Sequence, residues 1–146
     1  LLTACMGADG GKAALLSQPG GGCRFPATRE SVDQRLHFLK MDGKEVFKNA
    51  VNAMCTAARE ALARCELTVS QIKCVIPHQA NQRILDAVAR RAKRPVWSVI
   101  ETWGNTSSST VPIALDALLK SGETFDRVAL TAFGGGLTSA AAVTER

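Results

Sequence analysis

A histidine, an asparagine and a run of glycines set the chemical possibilities of this sequence. They are His78 in Pro77-His78-Gln79-Ala80-Asn81, Asn105 in Gly104-Asn105-Thr106-Ser107, and Gly134-Gly135-Gly136 after Phe133. His and Asn side chains both donate hydrogen bonds, so the two can share one carbonyl oxygen. A glycine can aim its backbone N–H at a second oxygen with no side chain in the way. Such a set suits a site that holds two oxygen atoms of a substrate by hydrogen bonds. Each part alone also has an ordinary reading. A His after a strand often caps a helix, an Asn after Gly is a turn residue, and three glycines make a tight turn. Their common placement sets them apart: each follows the C-terminal end of a predicted strand, where open α/β sheets place ligand crevices.

The elements that must position them follow from apolar spacing. Residues 7–43 are an irregular, loop-rich excursion punctuated by Gly and Pro, preceded by a short strand at 1–5. Phe47, Val51, Met54, Ala58, Ala61, Leu62 and Cys65 recur at threes and fours and predict a helix over 44–65. Its exposed face carries Lys44, Lys48, Arg59 and Glu60. Residues 72–76 read as a buried strand ended by Pro77. A basic helix over 79–92 carries Arg83, Arg90 and Arg91, and Lys93 follows. Then come a strand over 96–100, a turn at 104–106, and a helix capped within 107–109 and running to Lys120, where Pro112 is tolerable only in the first turn. Val111, Ile113, Ala114, Leu115, Ala117, Leu118 and Leu119 make that helix apolar nearly all round, the pattern of a central helix. Strands over 128–133 and 138–143 flank the glycines. Helices alternating with strands predict an α/β fold, a mixed sheet layered between helices.

Composition narrows the function. Eighteen Lys+Arg against thirteen Asp+Glu give a net charge of +5, which mildly favours an acidic partner. Hydrophobic residues at 46% exclude a disordered chain. No apolar run is long enough to span a membrane, and no secretory leader pattern opens the chain. Without an initiator Met, the chain is expected to begin inside a longer product. Nucleic acid is disfavoured, because basic residues are not interleaved with aromatics and Tyr is absent. Cysteines 5, 23, 55, 65 and 74 contain no CxxC pair, so they read as reduced thiols of a cytoplasmic protein rather than as a zinc site. A hydrolase built on Cys5 and His78 would lack a third, orienting group.

One resemblance is specific. His78-Gln79-Ala80-Asn81-Gln82-Arg83-Ile84 resembles the His-Gln-Ala-Asn-x-Arg-Ile signature of β-ketoacyl-acyl-carrier-protein synthase III. Gly104-Asn105-Thr106-Ser107 with Val111-Pro112 resembles that family's Asn loop. Ala132-Phe133-Gly134-Gly135-Gly136-Leu137-Thr138 resembles its closing glycine segment. Gly7-Ala8-Asp9-Gly10 and the segment 41–48 fit in order. The resemblance implies a thiolase-like fold of which residues 1–146 are the C-terminal half, and a homodimer. It implies a decarboxylating Claisen condensation of acyl-CoA with malonyl-acyl-carrier-protein in fatty acid biosynthesis. His78 and Asn105 would be catalytic, and the nucleophilic Cys would come from an N-terminal half outside this sequence. Gly135 would hold an oxyanion and Phe133 would close the pocket. Gln79, Ala80, Asn81, Gln82, Arg83 and Lys48 would meet the acidic carrier protein. No cofactor and no metal are implied, only the two thioester substrates. In two places the chain departs from the pattern: Ser139 and Ala140 stand where the family carries an aromatic and a Gly, and the connection Ala92-Lys93-Arg94-Pro95 is about three residues shorter than the family's. Two other readings stay open. One is a thiolase-fold acyltransferase of specialised metabolism; the other is a non-catalytic half-domain acting in assembly.

Overall fold

The computed structural model describes all of residues 1–146. Strand β1 (Thr3–Ala8) opens the chain. The excursion after it is mostly loop. It holds a 3-10 turn, the two-residue strands β2 (Leu16–Ser17) and β3 (Lys40–Met41), which pair antiparallel, and the short helix α1 (Arg29–Asp33). Helix α2 (Gly43–Arg64) begins where Asp42 accepts a hydrogen bond from the Glu45 N–H. Strand β4 (Val75–Pro77), helix α3 (Gln82–Ala92), the single turn α4 (Ile100–Trp103), helix α5 (Thr110–Lys120), β5 (Arg127–Gly134) and β6 (Thr138–Glu145) follow.

The four long-range strands form one mixed sheet in the order β1-β6-β5-β4, antiparallel except for β4 beside β5. Helices cover both of its faces. Val75, Ala129, Ala141, Val143 and Cys5 point to α2 and α3, where Met54, Ala61, Leu62, Ile84 and Val88 complete the larger core. Cys74, Ile76 and Val128 point the other way, to Ala114 and Leu118 of α5. A strand buried on both faces reads as a continuous apolar run, which is why 72–76 shows no polar alternation beyond Lys73.

On the α5 side the cover is partial. Strand pairing puts Ala140 and Ala142 of β6 and Ala4 and Met6 of β1 on the same face as Val128 and Leu130. Helix α5 reaches only the β4–β5 edge, and Met6 is left 88% exposed. Of the apolar ring on α5, only Ala114 and Leu118 are buried, with Leu119 exposed.

Three local expectations are corrected. The strand over 96–100 is reduced to one parallel bridge, Val96 with Val75, and Ile100 starts α4 instead. Helix α3 starts at Gln82 rather than 79, because Asn81 is extended and caps it through its side chain to the Ile84 N–H at 3.0 Å. No serine of 107–109 caps α5: they form a 3-10 turn, and the Ser109 side chain makes no capping bond.

Candidate functional site

Strand β5 fixes the histidine. The His78 N–H donates to the Thr131 carbonyl at 2.8 Å, one residue past the last β4 pair, so the ladder ends on the site residue itself. Thr131 is anchored in turn: its buried hydroxyl lies 3.0 Å from the carbonyls of Met54 and Ala140. The His78 ring bonds within the chain through Nδ1 alone, 2.6 Å from the Thr110 hydroxyl at the start of α5. Burial pushes the His78 pKa down, so the ring is neutral at pH 7. A neutral imidazole donates through one nitrogen and accepts through the other.

Asn105 sits on the loop after α4, entered through Gly104 at φ +65°, a left-handed position that favours glycine. Its Oδ1 accepts the Ser107 N–H at 2.9 Å. That bond occupies the amide oxygen and leaves the Nδ2 hydrogens for another partner.

His78, Asn105, Phe133, Gly134 and Gly135 line one open cleft of about 1130 Å³. Its other wall is the excursion and the start of α2, including Leu16, Met41, Lys44 and Phe47. A second recess of about 460 Å³ lies against the same His78, Ser107, Phe133 and Gly134 and is bordered by Met6, Thr110 and Ser139. Phe133 and His78 thus stand between two spaces. Gly135 faces open space, since a Cβ there would meet nothing within 4 Å. The backbone that requires glycine is at Gly136, with φ +74°.

The expected carrier-protein contacts separate. Arg83 is exposed, lines the cleft and lies over the Phe47 ring at 5.7 Å. Gln82 and Asn81 are exposed beside it, Gln82 bonded to Asp86 at 2.8 Å. Ala80 is half-buried against the larger core. Lys48 is exposed but outside the cleft lining, where Lys44, one turn earlier, takes the place. Gln79 is corrected outright: it is 0% exposed and cannot touch a partner. Its Nε2 donates to the Pro77 carbonyl at 2.7 Å and the Trp97 carbonyl at 3.4 Å; its Oε1 accepts from Val99 N–H at 3.1 Å and Ser98 Oγ at 3.2 Å. It clamps the His78 loop to the segment leading towards Asn105.

Spacing gave no sign of Thr110, Lys44 or the inward role of Gln79. Cys5 is 5% exposed and donates its thiol to the Ala57 carbonyl at 3.2 Å, a core thiol. Burial raises Cys55 and pushes Cys74 up to about 11, so neither is a reactive thiolate. Cys23 is exposed and Cys65 half-exposed. No three His, Cys, Asp or Glu side chains are grouped to hold a metal. No helix is long and apolar enough to cross a membrane.

The family model described as 3-oxoacyl-(acyl-carrier-protein) synthase III C terminal matches residues 62–146, more than half of the chain. The chain belongs to this synthase III C-terminal family. The β-ketoacyl-acyl-carrier-protein synthase III of Chlamydia caviae is 47% identical over 146 residues, covering 94% of this chain and 43% of that protein. The crystal structure of the Pseudomonas aeruginosa PAO1 3-oxoacyl-(acyl carrier protein) synthase III superposes with a TM-score of 0.84 at 35% identity, over 99% of this chain and 45% of that one. The priming β-ketosynthase of the R1128 polyketide pathway superposes at 0.82 with 35% identity, over 97% and 43%. The fold is therefore the thiolase-like one. This synthase III C-terminal chain spans less than half the length of these relatives.

Proposed function

We propose that this chain supplies the His–Asn part of a Cys-His-Asn site that condenses an acyl-CoA primer with malonyl-acyl-carrier-protein. An N-terminal half of the same enzyme brings the nucleophilic Cys, and the chain is inactive without it. The observation that carries the reading is the lining of one cleft by His78, Asn105 and Gly135, with the Asn105 amide oxygen already occupied. The Cys takes the acyl group from CoA as a thioester. His78 Nε2–H and Asn105 Nδ2–H then donate to the malonyl thioester carbonyl oxygen. The bond to the carboxylate breaks, CO2 leaves, and its electron pair becomes the enolate held by the two donors. The enolate carbon attacks the acyl-Cys carbonyl carbon. A C–C bond forms, the Gly135 N–H holds the oxyanion, and collapse expels the Cys thiolate. Phe133 keeps water from the enolate. Arg83, with Lys44 at the cleft and Lys48 behind it, attracts the acidic carrier protein. The enzyme acts as a homodimer in the cytoplasm, in fatty acid synthesis.

The similarity to a polyketide priming synthase favours a second setting for the same site, specialised metabolism. One assay separates the chemistries. The complete protein is given acyl-CoA with malonyl-acyl-carrier-protein, or with an alcohol or amine acceptor. Release of CO2 with a 3-oxoacyl product supports condensation. Esters or amides formed without CO2 would replace it with plain acyl transfer.

A further inference from the structure

One hydroxyl decides what His78 can do. Thr110 is 1% exposed, and its oxygen lies 2.6 Å from His78 Nδ1 and 3.0 Å from the Ser107 carbonyl. The hydroxyl has a single proton for two neighbours. In one arrangement it goes to the Ser107 carbonyl, and Nδ1–H donates to the Thr110 oxygen. Nε2 is then bare and repels a substrate carbonyl. In the other it goes to Nδ1, and Nε2 carries the ring's proton. The shorter contact is the one to the ring. The Ser107 carbonyl also accepts the Thr110 N–H, so it keeps a donor when the hydroxyl turns to the ring, whereas Nδ1 has no other partner.

We propose that Thr110 is the positioning residue of the site: its hydroxyl donates to His78 Nδ1 and so presents Nε2–H to the cleft. The same residue links the two proposed donors. Asn105 Oδ1 accepts from the Ser107 N–H, the Ser107 carbonyl lies against Thr110, and Thr110 meets His78. Thr110 therefore ties the Asn loop to the ring through its main chain, its N–H donating to the Ser107 carbonyl, while its hydroxyl sets the ring's tautomer. The catalytic consequence rests on the condensation reading above; the tautomer itself does not.

The test uses the complete protein with 15N-labelled histidine, the His78 signals identified by their loss in His78→Asn. Two-bond proton–nitrogen correlation reads which ring nitrogen is protonated. The wild type shows Nε2–H, with Nδ1 at the shift of an unprotonated nitrogen accepting a hydrogen bond. Thr110→Ser keeps that pattern. Thr110→Val moves Nδ1 to the shift of an unbonded ring nitrogen, and kcat for malonyl decarboxylation falls about tenfold, one hydrogen bond's worth, while KM holds. An Nδ1–H ring in the wild type, or a Val variant with an unmoved Nδ1 signal and full kcat, overturns the proposal. If the nitrogen shifts behave as stated but the wild type releases no CO2, the positioning stands and the condensation reading fails.

Discussion

Replacing Gln79 separates two accounts of the His78-Gln79-Ala80-Asn81 segment. Resemblance makes it a carrier-protein contact, whereas the fold buries it completely. In Gln79→Leu the buried Pro77 carbonyl loses its donor at 2.7 Å and the Val99 N–H its acceptor at 3.1 Å. The Trp97 bond at 3.4 Å is weak, and exposed Ser98 can turn to water. Two orphaned main-chain groups at about 1–3 kcal/mol each, partly offset by the gained apolar burial, give a loss of about 2–4 kcal/mol. Gln79→Glu adds a signature. The introduced carboxyl keeps the acceptor and must be protonated to donate to Pro77, so its folded pKa is raised. Its stability is then fully present below the unfolded carboxyl pKa, near 4.3, and is lost as pH rises through the folded value. Urea unfolding of the complete protein across pH 4–8 reads both effects. Gln79→Leu with an unchanged midpoint but a raised KM for the carrier protein would refute the buried clamp.

Other expectations follow from the same geometry. Arg83→Glu, exposed at the cleft, raises KM for malonyl-acyl-carrier-protein several-fold at low salt, with the effect shrinking as ionic strength rises; salt-independent kinetics would reduce Arg83 to an ordinary surface charge. Burial depresses the His78 pKa, so its contribution to stability is present above the unfolded value near 6.5 and falls as pH drops through the lowered folded value. Chemical unfolding of wild type against His78→Asn measures it, and a wild type gaining stability on acidification would reverse the sign. The 146 residues by themselves associate or bind apolar dyes, because Met6 at 88% and Leu119 at 45% exposure lie on sheet and helix faces with partial cover. A dye-silent monomer with cooperative unfolding would show a self-sufficient domain.

Long elements were legible because their signal is local and repeated. Helix α2 runs 22 residues with unbroken apolar spacing, and its predicted bounds fall within a residue of Gly43–Arg64. Both antiparallel strands at the glycine turn were equally plain. Short elements failed where a polar side chain outvoted the pattern. Asn81 caps α3 so that it starts at Gln82, three residues later than the spacing placed it, and Gln79 draws the preceding loop inward. Val96 to Ile100 has strand composition, but it pairs with β4 through a single bridge to Val75, and Gln79 holds Ser98 and Val99 instead, so Ile100 is free to turn into α4. His78, Asn105 and Gly135 were singled out in the sequence by type and strand-end placement, and the fold brings them to one cleft. Thr110 was not: it meets His78 across 32 residues, and among five consecutive hydroxyl residues nothing in the spacing singles it out.

The central claim is that His78 and Asn105 hold one developing enolate. Release of CO2 from malonyl-acyl-carrier-protein by the complete protein tests it most directly, alongside acylation of the Cys from acyl-CoA. His78→Ala and Asn105→Ala should each lower CO2 release by ~10²–10³, the usual cost of one oxyanion donor. Asn105→Ala should leave acylation far less affected. Full CO2 release in either variant, or equal damage to both half-reactions in Asn105→Ala, would contradict the account.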